Sequence, residues 1–145
     1  MPHRNKDCVF IVDDDEDDLF IIQQVFSQYS PECQLKPLTS GMALLDALAE
    51  APALPNLILL DLNMPQMSGL ETLAHLRQHK TYATIPVVVL TTSDHARDKQ
   101  QAAQLKASGF ITKPSTIEQY NKVVLKLRQD WLLGNCVPDQ PAGCC

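Results

Sequence analysis

The stretch from Leu57 to Leu70 reads LILLDLNMPQMSGL, and it constrains the fold more than any other part of the chain. Leu57 to Leu60 is a short continuous apolar run, the pattern of a strand buried on both faces of a parallel sheet. Asp61 sits where that strand ends. Asn63, Met64 and Pro65 stop it, because proline has no N–H for a ladder and disfavours the helical region for the residue before it. Ser68 to Glu71 then reads S-G-L-E, a capping box that opens a helix. Asp61 therefore lies at the carboxyl end of a central strand, above a strand-to-helix turn, on the edge where open α/β sheets bind ligands.

The rest of the chain repeats this unit. Cys8 to Val12 (CVFIV) reads as the first buried strand, and six consecutive carboxylates, Asp13 to Asp18, follow it. Leu19, Ile22, Val25, Phe26 and Tyr29 keep helical spacing, and the acids Glu16, Asp17 and Asp18 suit a helix N-terminus. Cys33 to Leu38 contains Pro37 and reads as an edge strand. A second helix spans about Met42 to Glu50, and Ala51 to Asn56 is a stiff proline loop. Leu70, Leu73 and Leu76 mark the third helix, ending near Lys80. Ile85 to Leu90 is the fourth strand, stopping at Thr91, Thr92 and Ser93. Asp94 is placed to cap a polar helix reaching about Ala107, whose few apolar residues predict the most weakly held helix of the five. Gly109 to Thr112 is the fifth strand, ended by Lys113 and Pro114. Ser115 to Glu118 (STIE) reads as another capping box, and Ile117, Tyr120, Val124, Leu127 and Trp131 line the last helix.

Five alternations of strand and helix predict an α/β fold with a parallel sheet, right-handed crossovers and helices on both faces. The expected strand order is 2-1-3-4-5. With 145 residues the chain suits one domain, placed at residues 7–131, followed by a short tail, 132–145, too small for an output module. Its net charge of −5 and lack of a basic run argue against nucleic acid or an anionic membrane as partner. No apolar run approaches the roughly 20 residues of a membrane helix, and no signal peptide is read at the N-terminus. The cysteines, including Cys144 and Cys145 in the tail, show no CxxC spacing, so a reducing, cytoplasmic setting is expected.

Polar residues now stand at several strand ends: Asp13 and Asp14 after the first, Asp61 after the third, Thr91 after the fourth, Lys113 after the fifth. In the predicted sheet these ends converge on one pocket. Three carboxylates so close repel one another unless a cation compensates them, which points to a hard divalent metal such as Mg²⁺. A carboxylate beside Mg²⁺ can attack a phosphoryl group and form an aspartyl phosphate. The Lys113 ammonium, the Thr91 hydroxyl and turn amides would supply positioning and charge neutralisation.

VDD at Val12 to Asp14, DLNMPQMSG at Asp61 to Gly69, TTS at Thr91 to Ser93 and KP at Lys113-Pro114 resemble the motifs of bacterial response-regulator receiver domains, over about residues 7 to 131. The resemblance implies a flavodoxin-like (βα)5 fold. It implies that Asp61 accepts a phosphoryl group from a histidine kinase or histidine phosphotransfer protein. Asp13, Asp14, Asp61 and the main-chain carbonyl of Asn63 would hold Mg²⁺, for which Mn²⁺ can substitute. Thr91, Thr92 and Lys113 would contact the phosphoryl group, with Phe110 as the switch aromatic. The protein would be a signalling switch rather than an enzyme, acting on a separate effector through its fourth helix, fifth strand and fifth helix, with a homodimer through the last helices as a further expectation. The acidic run and the absence of an output segment are similar to the stand-alone receivers that accompany phytochrome-like and other hybrid kinases.

Other readings fit less well. Phosphatases of the haloacid-dehalogenase type resemble a D-x-D motif and carry a cap domain, whereas Asn63 follows Asp61 by two. A scaffold receiver that is never phosphorylated usually lacks one of the acids, the threonine or the lysine. Asp15 to Asp18 read as a solvated face or helix cap, His3, His75, His79 and His95 as surface residues, Cys8 and Cys33 as core, and Trp131 as packing.

Overall fold

The structure is a computed structural model and describes residues 7–132; the expectations for His3 and for the cysteine tail lie outside them. Ten elements alternate: β1 (Cys8–Val12), α1 (Glu16–Tyr29), β2 (Gln34–Leu38), α2 (Gly41–Glu50), β3 (Leu57–Leu60), α3 (Gly69–Gln78), β4 (Val87–Thr91), α4 (Ala96–Gln104), β5 (Gly109–Thr112) and α5 (Ile117–Trp131). The strands are parallel in the order β2-β1-β3-β4-β5, the flavodoxin-like topology expected from the alternation.

The uniformly apolar strands are covered on both faces, as their composition requires. On one side Val9, Ile11, Leu57, Leu59, Val88 and Leu90 pack beneath α1 and α5. On the other, Phe10, Val12, Ile58, Leu60 and Val87 meet Leu44 and Leu48 of α2 and Leu73 and Leu76 of α3. Pro37 lies in β2 at the sheet edge, where its missing N–H leaves no central ladder broken. Trp131 is partly buried against the α1–α5 side, as a packing residue.

Several boundaries differ from the sequence reading. The fourth strand starts at Val87 and runs through Thr91, not from Ile85 to Leu90. Pro86 has no N–H to give and the Ile85 carbonyl accepts from Arg77 Nη1, while Thr91 pairs with Thr112 across the ladder. Asp94 does not cap α4: His95 occupies the cap position without a side-chain bond, and Ser93 Oγ instead accepts from His95 N–H and donates to Asp98 Oδ2. The helix stops before Ala107, with Lys106 at φ 65°. The cap of α5 is Thr116, whose hydroxyl accepts from Gln119 N–H, and not the expected Ser115–Glu118 box. The Ser68–Glu71 box of α3 is present in both directions, at 3.1 and 3.0 Å. The prediction that α4 is weakly held agrees with Ala102 being its one buried residue.

Candidate functional site

Backbone pairing brings the strand-end residues to one edge. Asp13 N–H donates to the Leu38 carbonyl, Asp61 N–H to Val12 and Lys113 N–H to Thr91, so each residue is fixed by the strand beside it. One oxygen each from Asp13, Asp14 and Asp61 lies within 4.8 Å of the others. Asp13 and Asp61 are buried and Asp14 is exposed at the rim. Asp61 Oδ1 is buried with no hydrogen-bond partner among the described residues. An orphaned carboxylate oxygen beside two further carboxylates is a set of hard donors that a divalent cation would satisfy, so these residues fit such an ion.

The compensating charge within the protein is Lys113, buried almost completely. Its Nζ lies 2.6 Å from Asp13 Oδ2, 2.6 Å from Asp18 Oδ2 and 3.7 Å from Asp61 Oδ2. Burial alone would lower the pKa of this ammonium, but its hydrogen bonds to Asp13 and Asp18 and the field of Asp13 and Asp61 outweigh burial and raise it. Burial pushes the Asp13 carboxyl up to about 6, against the lowering effect of the Lys113 and Asp15 hydrogen bonds.

The acidic run divides its work. Asp13 Oδ1 accepts from Asp15 N–H, and Asp15 is the N-cap of α1, accepting from Asp17 and Asp18 N–H. The reading of Asp15 to Asp18 as cap or solvated face holds for Asp15 and for the exposed Glu16 and Asp17, but Asp18 turns into the pocket onto Lys113. That role was missed. Its only sequence signal was an acid in the first turn of α1, a position equally suited to a helix dipole.

Thr91 is buried, and its hydroxyl accepts from Ser93 N–H at 3.3 Å and from Asn63 Nδ2 at 3.4 Å. Both contacts exceed the usual 2.7–3.2 Å for an N–H···O bond, so the hydroxyl is loosely held. Asn63 is exposed on the loop beyond Asp61. Thr92 is exposed and its side chain makes no hydrogen bond among the described residues. Phe110 is partly buried against the cluster of Leu62, Val89 and Ala102, the last of these on α4.

The family model described as response regulator receiver domain matches residues 9–125. The chain is 33% identical over 129 residues to the response regulator Rcp1 of Synechocystis, covering 86% of this chain and 88% of that protein. Among solved structures it resembles the phosphorylated cyanobacterial phytochrome response regulator RcpA, with TM-score 0.84 and 29% identity over 93% of this chain and 100% of that one. It also resembles the Mn²⁺-bound form of Rcp1, with TM-score 0.78 and 32% identity over 87% of this chain and 94% of that one. With the pocket geometry above, these likenesses make the chain a member of the response regulator receiver domain family, the phosphorylation-switched component of two-component signal transduction.

Proposed function

We propose that Asp61 is the phosphoacceptor of this receiver, charged by a histidine kinase or histidine phosphotransfer protein, and that the residues around it build the switch. The observation that carries this is the convergence of Asp13, Asp14, Asp61 and Lys113 at one sheet edge, with Asp61 Oδ1 lacking any hydrogen-bond partner among the described residues. Asp13, Asp14, Asp61 and the Asn63 carbonyl would hold Mg²⁺, or Mn²⁺ in its place, and the bound ion would supply charge neutralisation for phosphoryl transfer. An Asp61 oxygen attacks phosphorus, the P–N bond to the donor imidazole breaks, and its electron pair returns to the ring nitrogen, which takes a proton from solvent. Lys113 pairs with the new charge, and the Thr91 hydroxyl leaves its two long contacts to donate to it. Thr92 stands at the mouth of the same loop.

Phosphorylation adds about two negative charges. Drawing Thr91 inward moves the loop that carries Ser93, and through it α4, while Phe110 repacks against Ala102. The output is association with a separate effector on the α4–β5–α5 face, from a receiver comprising residues 7–131 in the cytoplasm, with no catalysis beyond its own phosphorylation and dephosphorylation. The likeness to a phytochrome response regulator supports a phytochrome-type kinase as input. None of the helices among the described residues is long and apolar enough to cross a membrane.

The test is binding of beryllofluoride, a mimic of the phosphoryl group, followed by hydrogen exchange. Saturable protection of the β4–α4 loop and α4 that requires Mg²⁺ and disappears in Asp61→Asn is expected. Binding that persists in Asp61→Asn, or none in the wild type, would overturn the assignment.

A further inference from the structure

Lys113 has one partner more than phosphoryl transfer requires. An ammonium has three protons, and here two of them are committed at 2.6 Å to Asp13 and Asp18, while Asp61 stands off at 3.7 Å. Asp18 is free for this contact because Asp15 caps the helix in its place, leaving the Asp18 side chain unused by the first turn. We propose that Asp18 is a positioning residue that holds Lys113 off Asp61 in the resting protein, so that the lysine exchanges Asp18 for the phosphoryl group when Asp61 is modified. This rests on the reading of Asp61 as acceptor.

Burial decides which partner is given up. The Asp13 side chain is 3% exposed and the Asp18 side chain 23%. A carboxylate abandoned in a dry site costs several times more than one that water reaches. Asp18 can be rehydrated when the lysine leaves, whereas Asp13 cannot. Asp18 thus competes with the phosphoryl group for one ammonium, weakening the pocket's grip on the modified state and favouring the return of Lys113 once the phosphate is lost.

Neutralising Asp18 should then tighten anion binding. Full-chain protein is titrated by calorimetry with beryllofluoride in saturating Mg²⁺, and separately with Mg²⁺ alone, in the wild type and in Asp18→Asn, Asp18→Ala and Asp17→Asn. Both Asp18 variants are expected to bind beryllofluoride about fivefold more tightly, the scale of one partly exposed ion pair, without any gain in Mg²⁺ affinity. Asp17→Asn removes the same charge from an exposed neighbour and is expected to leave the anion affinity within about twofold of wild type. An unchanged or weaker anion affinity in both Asp18 variants would overturn the proposal, as would equal tightening in Asp17→Asn, which would mean a general charge effect. A wild type that binds no beryllofluoride would overturn the acceptor reading and this inference together.

Discussion

At Gly69 there is no room for a side chain: a Cβ would stand 2.1 Å from the Asp61 carbonyl oxygen and 2.6 Å from Leu62 Cα. The first turn of α3 rests directly on the backbone that carries Asp61. Gly69→Ala therefore forces the helix and the Asp61 turn apart, and the expected loss is about 3 kcal/mol in urea unfolding, with a matching loss of beryllofluoride binding. The charges respond in the opposite sense. Asp61 Oδ1 is buried without a hydrogen-bond partner among the described residues, so Asp61→Asn is expected to raise metal-free stability by about 1 kcal/mol while abolishing phosphate incorporation. Lys113→Met leaves Asp13, Asp18 and Asp61 without their cation and is expected to cost about 3 kcal/mol in the metal-free protein, part of it restored by Mg²⁺. Equal losses with and without Mg²⁺ would show that packing, not charge, sets the effect.

Among the elements, α4 is the one built to move. It buries only Ala102, lacks a side-chain cap, and is tied at its start by the Ser93–Asp98 hydrogen bond and beyond its end by Arg77 Nε to the Lys106 carbonyl. Few buried contacts imply a low free energy of local opening. Its amides are expected to exchange faster than those of α3, whose Leu73 and Leu76 are fully buried, and Asp98→Ala should speed exchange in the first turn of α4 selectively. At the other end of the sheet, Glu32 joins the turn before β2 to Arg128 on α5 at 3.4 Å. Slight burial raises the Glu32 carboxyl, but hydrogen bonds from Ser30, its own backbone and Arg128 outweigh this and lower it. A carboxyl lowered on folding adds stability above its unfolded value of 4.5 and loses it as pH falls through the folded value. The stability difference between wild type and Glu32→Gln should shrink below pH 4.5 in denaturant titrations; a difference independent of pH would remove the ion pair from the account.

For the whole molecule, the edge proposed to accept the phosphoryl group is a liability to stability. Three carboxylates meet where β1 and β3 end, and their repulsion is relieved only in part by Lys113. A ligand that binds the folded state alone stabilises it by about 2.7 kcal/mol at a concentration a hundredfold above its Kd. Thermal unfolding should therefore shift upward with Mg²⁺ or Mn²⁺ and return on chelation, with no shift in Asp61→Asn. The two cores flanking the sheet make the strands rigid, and the loops above them carry the polar groups, which is why the proposed switch is assigned to β4–α4 rather than to the sheet.

Much of this was legible in the chain because it is local. Uniformly apolar strands, right-handed crossovers and polar residues immediately after each strand determine the sheet order, and with it the meeting of Asp13, Asp14, Asp61, Thr91 and Lys113, without any knowledge of side-chain contacts. The Ser68–Glu71 box was readable for the same reason, since both partners lie within one helical turn. Other features waited for tertiary structure. Whether Ser115 or Thr116 caps α5, and whether Ile85 or Val87 begins β4, turns on single residues that rival bonds decide: Gln119 to Thr116, and Arg77 to the Ile85 carbonyl. Asp18 is the strongest case, because its partner is 95 residues away. In the sequence it is one acid among six; only the packing of α1 against α5 on one face of the sheet brings its carboxylate to Lys113, where burial gives the contact its energy.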